Sequence, residues 1–221
     1  MIIEILFEDE ALVAINKPAS ILSVPGNNLN LTSAHEYIEQ QLNAPLHVVH
    51  RLDCATSGVM LFAKTKLSQR LMHHEFRRRR VSKKYSAVLS VLPPEVCGHI
   101  SLPLTSDWPN RPKQKVCKIE GKASETLWRC FDPNNLQAFG EPALLTAPSV
   151  HVLLKPITGR THQLRVHMAA IGCPILGDTF YAGPQAQAER LLLHATTIYF
   201  KHPLTGRSTG INCPVNFCNF L

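Results

Sequence analysis

The sequence predicts an α+β fold with a large, mainly antiparallel mixed sheet and flanking helices. Most apolar runs are of strand length and bounded by turn residues, as in Ile2 to Leu6, Ala11 to Asn16, Val59 to Ala63 and Leu191 to Phe200; long helices would need longer periodic stretches. Consecutive runs are joined by compact turns, Glu8-Asp9-Glu10 near the start and Pro203-Leu204-Thr205-Gly206 near the end, which makes neighbours antiparallel. Only a few segments carry a helical period, and they lie between the strands.

In chain order, Ile2 to Leu6 and Ala11 to Asn16 form the first strand pair, and Lys17-Pro18 ends it because proline cannot donate to a ladder. Pro25-Gly26-Asn27-Asn28 is a loop. Ser33 and Glu36 have capping-box spacing, which predicts a helix to about Leu42. Two short buried strands follow, Leu46 to Val49 and Val59 to Ala63. Lys66 to Arg79 reads as a helix with Leu67, Leu71 and Phe76 roughly on one side. Tyr85 to Leu92 is a strand closed by Pro93-Pro94. Ser106 to Lys115 is too rich in proline and polar groups for a strand or helix, so an ordered surface excursion is expected, with Trp108 either exposed or packed inward. Glu125 to Phe131 and Val150 to Lys155 read as paired strands. Asp132 to Ser149 between them has turn residues and no clear period. Thr161, or a neighbour, caps a helix whose Leu164, Met168 and Ile171 form an apolar row, stopped by Gly172 and Pro174. Arg165 lies off that row, its head free to reach a cleft. Strands Leu191 to Phe200 and Arg207 to Ile211 complete the chain.

A chain of 221 residues with 45% hydrophobic content can bury a substantial core and fits one domain, of one lobe or two. The balance of 23 basic against 16 acidic side chains, a net charge of +7, is compatible with a polyanionic partner such as RNA. The amino terminus MIIEILFEDE has no basic n-region, and no apolar run approaches a membrane span, so a cytoplasmic protein without a membrane partner is expected. Seven cysteines (54, 97, 117, 130, 173, 213 and 218) are odd in number and scattered without a CxxC, which suits reduced thiols. His47-x-x-His50 and the Cys213/Cys218 pair lack the spacing of a zinc finger or ribbon, so no metal is expected.

The stretch with the densest chemistry is His50-Arg51-Leu52-Asp53-Cys54-Ala55-Thr56-Ser57-Gly58, a polar knot between two apolar strands. Loops held at strand ends are where catalytic residues are usually displayed. The run resembles the His-Arg-Leu-Asp-x-x-Thr-Ser-Gly motif of the RluA-type pseudouridine synthases. The resemblance extends through Asn16-Lys17-Pro18, Ser23-Val24-Pro25-Gly26, Lys83-Lys84-Tyr85, Lys155 to Arg160, Thr161 to Met168, Pro174 to Asp178 and Leu192 to Ala195. It implies the pseudouridine synthase fold with a central basic cleft, in a single catalytic domain over 1–221 without a separate N-terminal RNA-binding domain. The segment Asp107 to Val116, DWPNRPKQKV, is similar to members of the family that act on both ribosomal and transfer RNA. Asp132 to Ser149 is longer than the family pattern requires.

Isomerising uridine breaks the bond from ribose to N1, turns the uracil and rejoins it through C5. No redox change or group transfer occurs, so no cofactor is expected. An ionised oxygen is needed, and an aspartate with its ordinary pKa of ~3.9 supplies one near neutrality. The resemblance implies that Asp53 is this group, attacking either uracil or ribose, and that Arg165 keeps it ionised. It further implies that Tyr85 stacks on the uracil, with its hydroxyl available for proton removal from the product precursor, and that Leu164 forms the opposite apolar wall, although both residue types are equally at home in a core. A base within folded RNA must be extruded, at a cost of a few kcal/mol. Arg51 resembles the arginine that enters the vacated place, and a plain phosphate contact is its alternative use.

Arg77, Arg78, Arg79 and Arg80, with Lys83 and Lys84, form a basic run that suits either phosphate contacts or a solvated helix end. Arg111, Lys113 and Lys115 around Trp108 suit RNA through phosphate contact and stacking. The function expected is a monomeric RNA pseudouridine synthase acting on loop uridines of large-subunit (23S) ribosomal RNA and of the transfer RNA anticodon arm. A non-catalytic RNA-binding module would have no use for a carboxylate amid phosphates. A hydrolase using Ser57 or Cys54 would lack a Gly-x-Ser-x-Gly elbow.

Overall fold

A computed structural model describes residues 1–26, 32–131, 150–184 and 186–217. The expected segment Asp132 to Ser149, and the Asn27-Asn28 part of the expected loop, lie outside the described residues. The chain forms two compact units, one of Met1–Lys83 with His194–Val215, the other of Lys84–Leu193 with Asn216–Leu221. No helix among the described residues is long and apolar enough to cross a membrane.

In the first unit, β1 (Ile5–Glu8) and β2 (Leu12–Lys17) form the antiparallel pair expected at the start, with β1 displaced towards the turn. Asp9 makes that turn: its Oδ1 accepts hydrogen bonds from the N–H groups of Ala11 and Leu12, both at 2.8 Å. Next come α1 (Ala34–Leu42), β3 (His47–Val48), β4 (Ser57–Ala63) and α2 (Lys66–Arg77). Near the carboxyl end lie β11 (Leu193–Lys201) and β12 (Ser208–Asn212). β4 pairs antiparallel with β2 along one edge; β3 and β11 share the other, β11 running parallel. Every residue of β4 is buried, because both of its faces are covered. Val59, Leu61 and Ala63 join Met72 of α2, Phe200 and Ile211 in one core, while Phe62 on the opposite face meets the His35 ring of α1 at 5.3 Å. α1 begins with the capping box expected of Ser33 and Glu36.

The buried stripe of α2 differs from the expected one. Leu67 is 48% exposed, and Ser68 and Met72 face the core with Leu71 and Phe76 partly buried. The helix starts at Lys66 as expected, behind the N-cap Thr65, and Ser68 can face inward because its hydroxyl accepts from Thr65 Oγ1 at 3.0 Å and its N–H donates to the same oxygen at 3.1 Å.

In the second unit, the antiparallel order is β5 (Ser82–Leu89), β10 (Val150–Pro156), β9 (Glu125–Cys130) and β6 (Cys97–Ser101). β9 alternates cleanly, with Thr126, Trp128 and Cys130 buried and Leu127 and Arg129 exposed. β5 begins three residues before Tyr85, and Pro93-Pro94 lies beyond its end. The excursion at Ser106 to Lys115 contains more regular structure than expected: β7 (Leu104–Ser106) and β8 (Gln114–Val116) form a hairpin around a 3-10 turn at Trp108–Asn110. Hydrogen bonds from Asp107 N to Lys113 O and from Asn110 N to Asp107 O hold it, which composition alone did not suggest.

α3 (Gln163–Ala170) opens on His162, the neighbour of Thr161 among the expected caps. Its expected apolar row is real at Leu164 and Met168, but its other residues up to Met168 are buried too. Polar side chains sink because they have partners. Gln163 donates through Nε2 to Glu125 O (2.8 Å) and Thr126 Oγ1 (3.0 Å), and its Oε1 accepts from Thr158 Oγ1 (2.6 Å) and Arg160 N (3.0 Å). His167 bridges Thr126 Oγ1 and Leu102 O, both at 3.0 Å, and burial holds its pKa below the ordinary value. These bonds fix α3 against β9. The fold is α+β, with mixed, mostly antiparallel strands and three α-helices among the described residues.

Candidate active site

The loop from His50 to Thr56 leads from β3 into β4, and several buried polar groups clamp it. His50 stacks on Phe76 (ring centroids 5.1 Å) and its Nε2 accepts from the Leu61 N–H at 3.0 Å. Burial, then the Lys83 cation, push its pKa down to about 3, so the ring is neutral. The Ser23 hydroxyl donates to Leu52 O at 2.6 Å and accepts from Leu52 N at 3.0 Å, mimicking a strand partner. Thr56 N donates to Asp53 O at 3.0 Å and closes the turn that carries the aspartate. Asp53 is half-buried, with Arg51 and Cys54 exposed on either side.

Lys17 is the member of this clamp that sequence reasoning missed. It entered there as the end of a strand and within the resemblance, with no role of its own. In the structure it is 0% exposed, and its ammonium donates to Pro18 O (2.7 Å), Ile21 O (2.7 Å) and Cys54 O (3.0 Å). Three donors meet three carbonyls. Burial lowers its pKa to about 8, against the opposing pull of Cys54 and Asp53. Strand parity was the available signal: Lys17 shares a face with the buried Val13 and Ile15.

The end of the motif is a packing device. Ser57 and Gly58 lie opposite His194 and Ala195 in the parallel β4–β11 pair. Gly58 has φ +109°, and a Cβ there would fall 2.3 Å from Ala195 O, so only glycine fits. The Ser57 hydroxyl is buried 2.8 Å from His194 Nδ1, while His194 Nε2 donates to Cys213 O at 3.0 Å. That arrangement ties strands together and does not expose a nucleophile.

The second unit holds Tyr85, Leu164 and Arg165. Tyr85 is buried in β5 opposite Leu154, and Leu164 and Arg165 are buried in the first turn of α3. The expectation that the Arg165 head is free needs correction. The residue is only 3% exposed, and Asp178 receives its side chain bidentately, Nε to Oδ2 at 2.8 Å and Nη2 to Oδ1 at 2.6 Å. The guanidinium also lies over the rings of Phe180 (5.0 Å) and Tyr181 (5.2 Å). Asp178 is buried as well and accepts the N–H groups of Phe180 and Tyr181. Asp178 entered the sequence reading only within the resemblance, because its partner lies in a different element.

Among the candidate RNA contacts, Arg77, Arg78, Arg79, Arg80 and Lys84 are exposed, with Arg80 3.5 Å from Glu75. Lys83 differs: it is half-buried over the Phe76 ring at 6.0 Å, and burial lowers its pKa. Trp108 is 67% exposed and carries the Arg111 guanidinium 3.8 Å above its ring. Lys113 lies 5.9 Å from the Phe180 ring, and Lys115 pairs with Asp107 at 3.3 Å.

The family model described as RNA pseudouridylate synthase matches residues 11–170. The dual-specificity RNA pseudouridine synthase RluA of Escherichia coli (strain K12) is 42% identical over 215 residues, covering 96% of this chain and 93% of that protein. RluA of Pasteurella multocida (strain Pm70) is 41% identical over 220 residues, covering 97% and 94%. Among solved structures, human RNA pseudouridylate synthase domain containing 1 superposes with a TM-score of 0.76 at 24% identity, covering 98% of this chain and 84% of that one. Human RNA pseudouridylate synthase domain containing 4 does so at 0.73 and 26% identity, covering 96% and 88%. The chain therefore belongs to the RNA pseudouridylate synthase family and is an RNA pseudouridine synthase, an isomerase.

Proposed function

We propose that this protein converts loop uridines to pseudouridine in both large-subunit ribosomal RNA and the anticodon arm of transfer RNA, acting without a cofactor. The observation that carries the reading is the clamped Asp53 loop: a half-buried carboxylate on a turn whose backbone is held by buried Ser23 and Lys17. A reacting group must be held in place before substrate arrives, and clamping the backbone on either side of it does this. The dual-specificity relatives, similar over nearly the whole chain, support the choice of both RNA classes.

In this reading Asp53 acts on the extruded uridine as the ionised oxygen. Tyr85 and Arg165 have catalytic roles, and Leu164 gives the base an apolar wall. Arg51, exposed two residues before Asp53, enters the stack that the uridine leaves. Arg77 to Arg80, Lys83, Lys84, Arg111, Lys113 and Lys115 contact phosphates. Single-stranded loops are favoured targets because their bases are the easiest to splay out.

The test supplies purified protein with RNA tritiated at uracil C5, in an anticodon stem-loop and separately in a ribosomal hairpin. Isomerisation replaces the C5 hydrogen and releases the label. Release from both, absent with Asp53→Asn, is the expected result. Release from the ribosomal hairpin alone overturns dual specificity, and release undiminished in Asp53→Asn overturns the role of Asp53.

A further inference from the structure

The hydroxyl of Tyr181 joins three parts of the second unit. Its oxygen accepts the N–H of Gln114, the first residue of β8, at 2.8 Å. The same oxygen lies 2.7 Å from Nδ1 of His162, the residue that opens α3. The Tyr181 backbone N–H reaches Asp178 Oδ1 at 3.2 Å, and that carboxylate holds Arg165. One residue thus touches the basic hairpin, the start of α3 and the loop that cradles the arginine.

His162 is the strained member of this set. It has φ 53°, in the left-handed region that non-glycine residues seldom adopt. Such a conformation persists only where surrounding structure imposes it. The imidazole packs against both the Phe180 and Tyr181 rings, each 5.7 Å away, and is hydrogen-bonded to the phenol. Gln163, Leu164 and Arg165 follow directly, so any rotation at His162 displaces the first turn of α3. Across the phenol lies the hairpin with Trp108 and Arg111 at its tip and Lys113 beside Phe180.

We propose that the Tyr181 hydroxyl is a positioning link. Through it, RNA held by the β7–β8 hairpin sets the start of α3, and with it Leu164 and Arg165. The link rests on the reading that the hairpin cations contact RNA. Phosphate contacts at Arg111 and Lys113 fix the hairpin, Gln114 N–H moves with it, and the phenol transmits its place to His162. Engagement of the correct RNA therefore completes the arrangement that the chemistry needs.

Tyr181→Phe removes the oxygen and keeps the ring. Three measurements judge it: the single-turnover rate of tritium release at saturating stem-loop RNA, the affinity for that RNA, and the 15N shift of His162 on adding it. The saturating rate is expected to fall about tenfold, as for loss of a buried hydrogen bond at a reacting site, while RNA affinity changes less than about twofold. Arg111→Ala is expected to lower the saturating rate in wild type but not in the Tyr181→Phe background. The His162 shift is expected to respond to RNA in wild type and not in Tyr181→Phe. An unchanged saturating rate, an additive effect of Arg111→Ala, or a His162 response that survives Tyr181→Phe overturns the link. Absence of tritium release from this stem-loop with wild type would instead overturn the proposed action on transfer RNA, and the His162 response would still judge the link.

Discussion

The ammonium of Lys17 donates to the carbonyl of Cys54 at 3.0 Å and binds a buried lysine at the end of β2 to the residue after Asp53. Its other two donors reach Pro18 and Ile21, so all three serve backbone oxygens. Replacing it leaves three carbonyls without that donor group. Lys17→Met should therefore destabilise the protein by about 3 kcal/mol at pH 7, as expected for breaking a buried charged network. Urea denaturation measures this, and a loss near zero would mean that the carbonyls find other partners.

The lysine also gives a pH dependence. Its pKa is about 8 in the folded protein against 10.5 for the ordinary group. Between those values the unfolded chain binds the proton that the folded chain has lost, so stability rises with pH. The burial penalty, about 3 kcal/mol, is present in full below pH 8 and relieved by pH 10.5. The stability difference between wild type and Lys17→Met should widen across that window. A constant difference from pH 7 to 10 would show that Lys17 does not titrate there.

Gly58→Ala should cost at least about 3 kcal/mol, because the new methyl meets the Ala195 backbone in a left-handed conformation that alanine rarely adopts. The β4–β11 pairing should suffer first. A wild-type thermal transition would mean that the two strands separate without penalty.

Asp53→Asn keeps the shape of the side chain and removes its charge. Single-turnover isomerisation should fall by about a thousandfold or more while the fold and most RNA affinity remain. Tyr85→Phe retains the ring and should keep RNA binding. Tyr85→Ala should reduce both binding and rate, and full activity in it would leave Tyr85 as core alone.

Replacing Arg77 to Arg80 by serine should weaken RNA binding and flatten its dependence on salt. The slope of log K against log salt should shrink by roughly 0.7–0.9 for every phosphate that the run no longer neutralises. An unchanged slope would identify the run as a solvated end of α2.

Local chemistry made much of this legible in the sequence. Ser33 and Glu36 predict the start of α1 because a capping box is satisfied within one turn. The paired strands at β9 and β10 follow from β-rich runs, and the Asp53 loop from an unusually dense motif. These features depend on residues close together in the chain. The placement of Arg165 did not follow, because helical periodicity says which side chains lie off an apolar row and not what waits for them there. Asp178, thirteen residues away, makes that cation half of a buried pair. Lys17 likewise reads as a polar strand end until the carbonyls of Pro18, Ile21 and Cys54 converge on it. By itself the sequence determined most of the secondary elements, the turn that carries Asp53 and the family. Tertiary structure alone decided which polar groups could be buried, because a charge leaves water only where partners gathered by the fold replace its hydration.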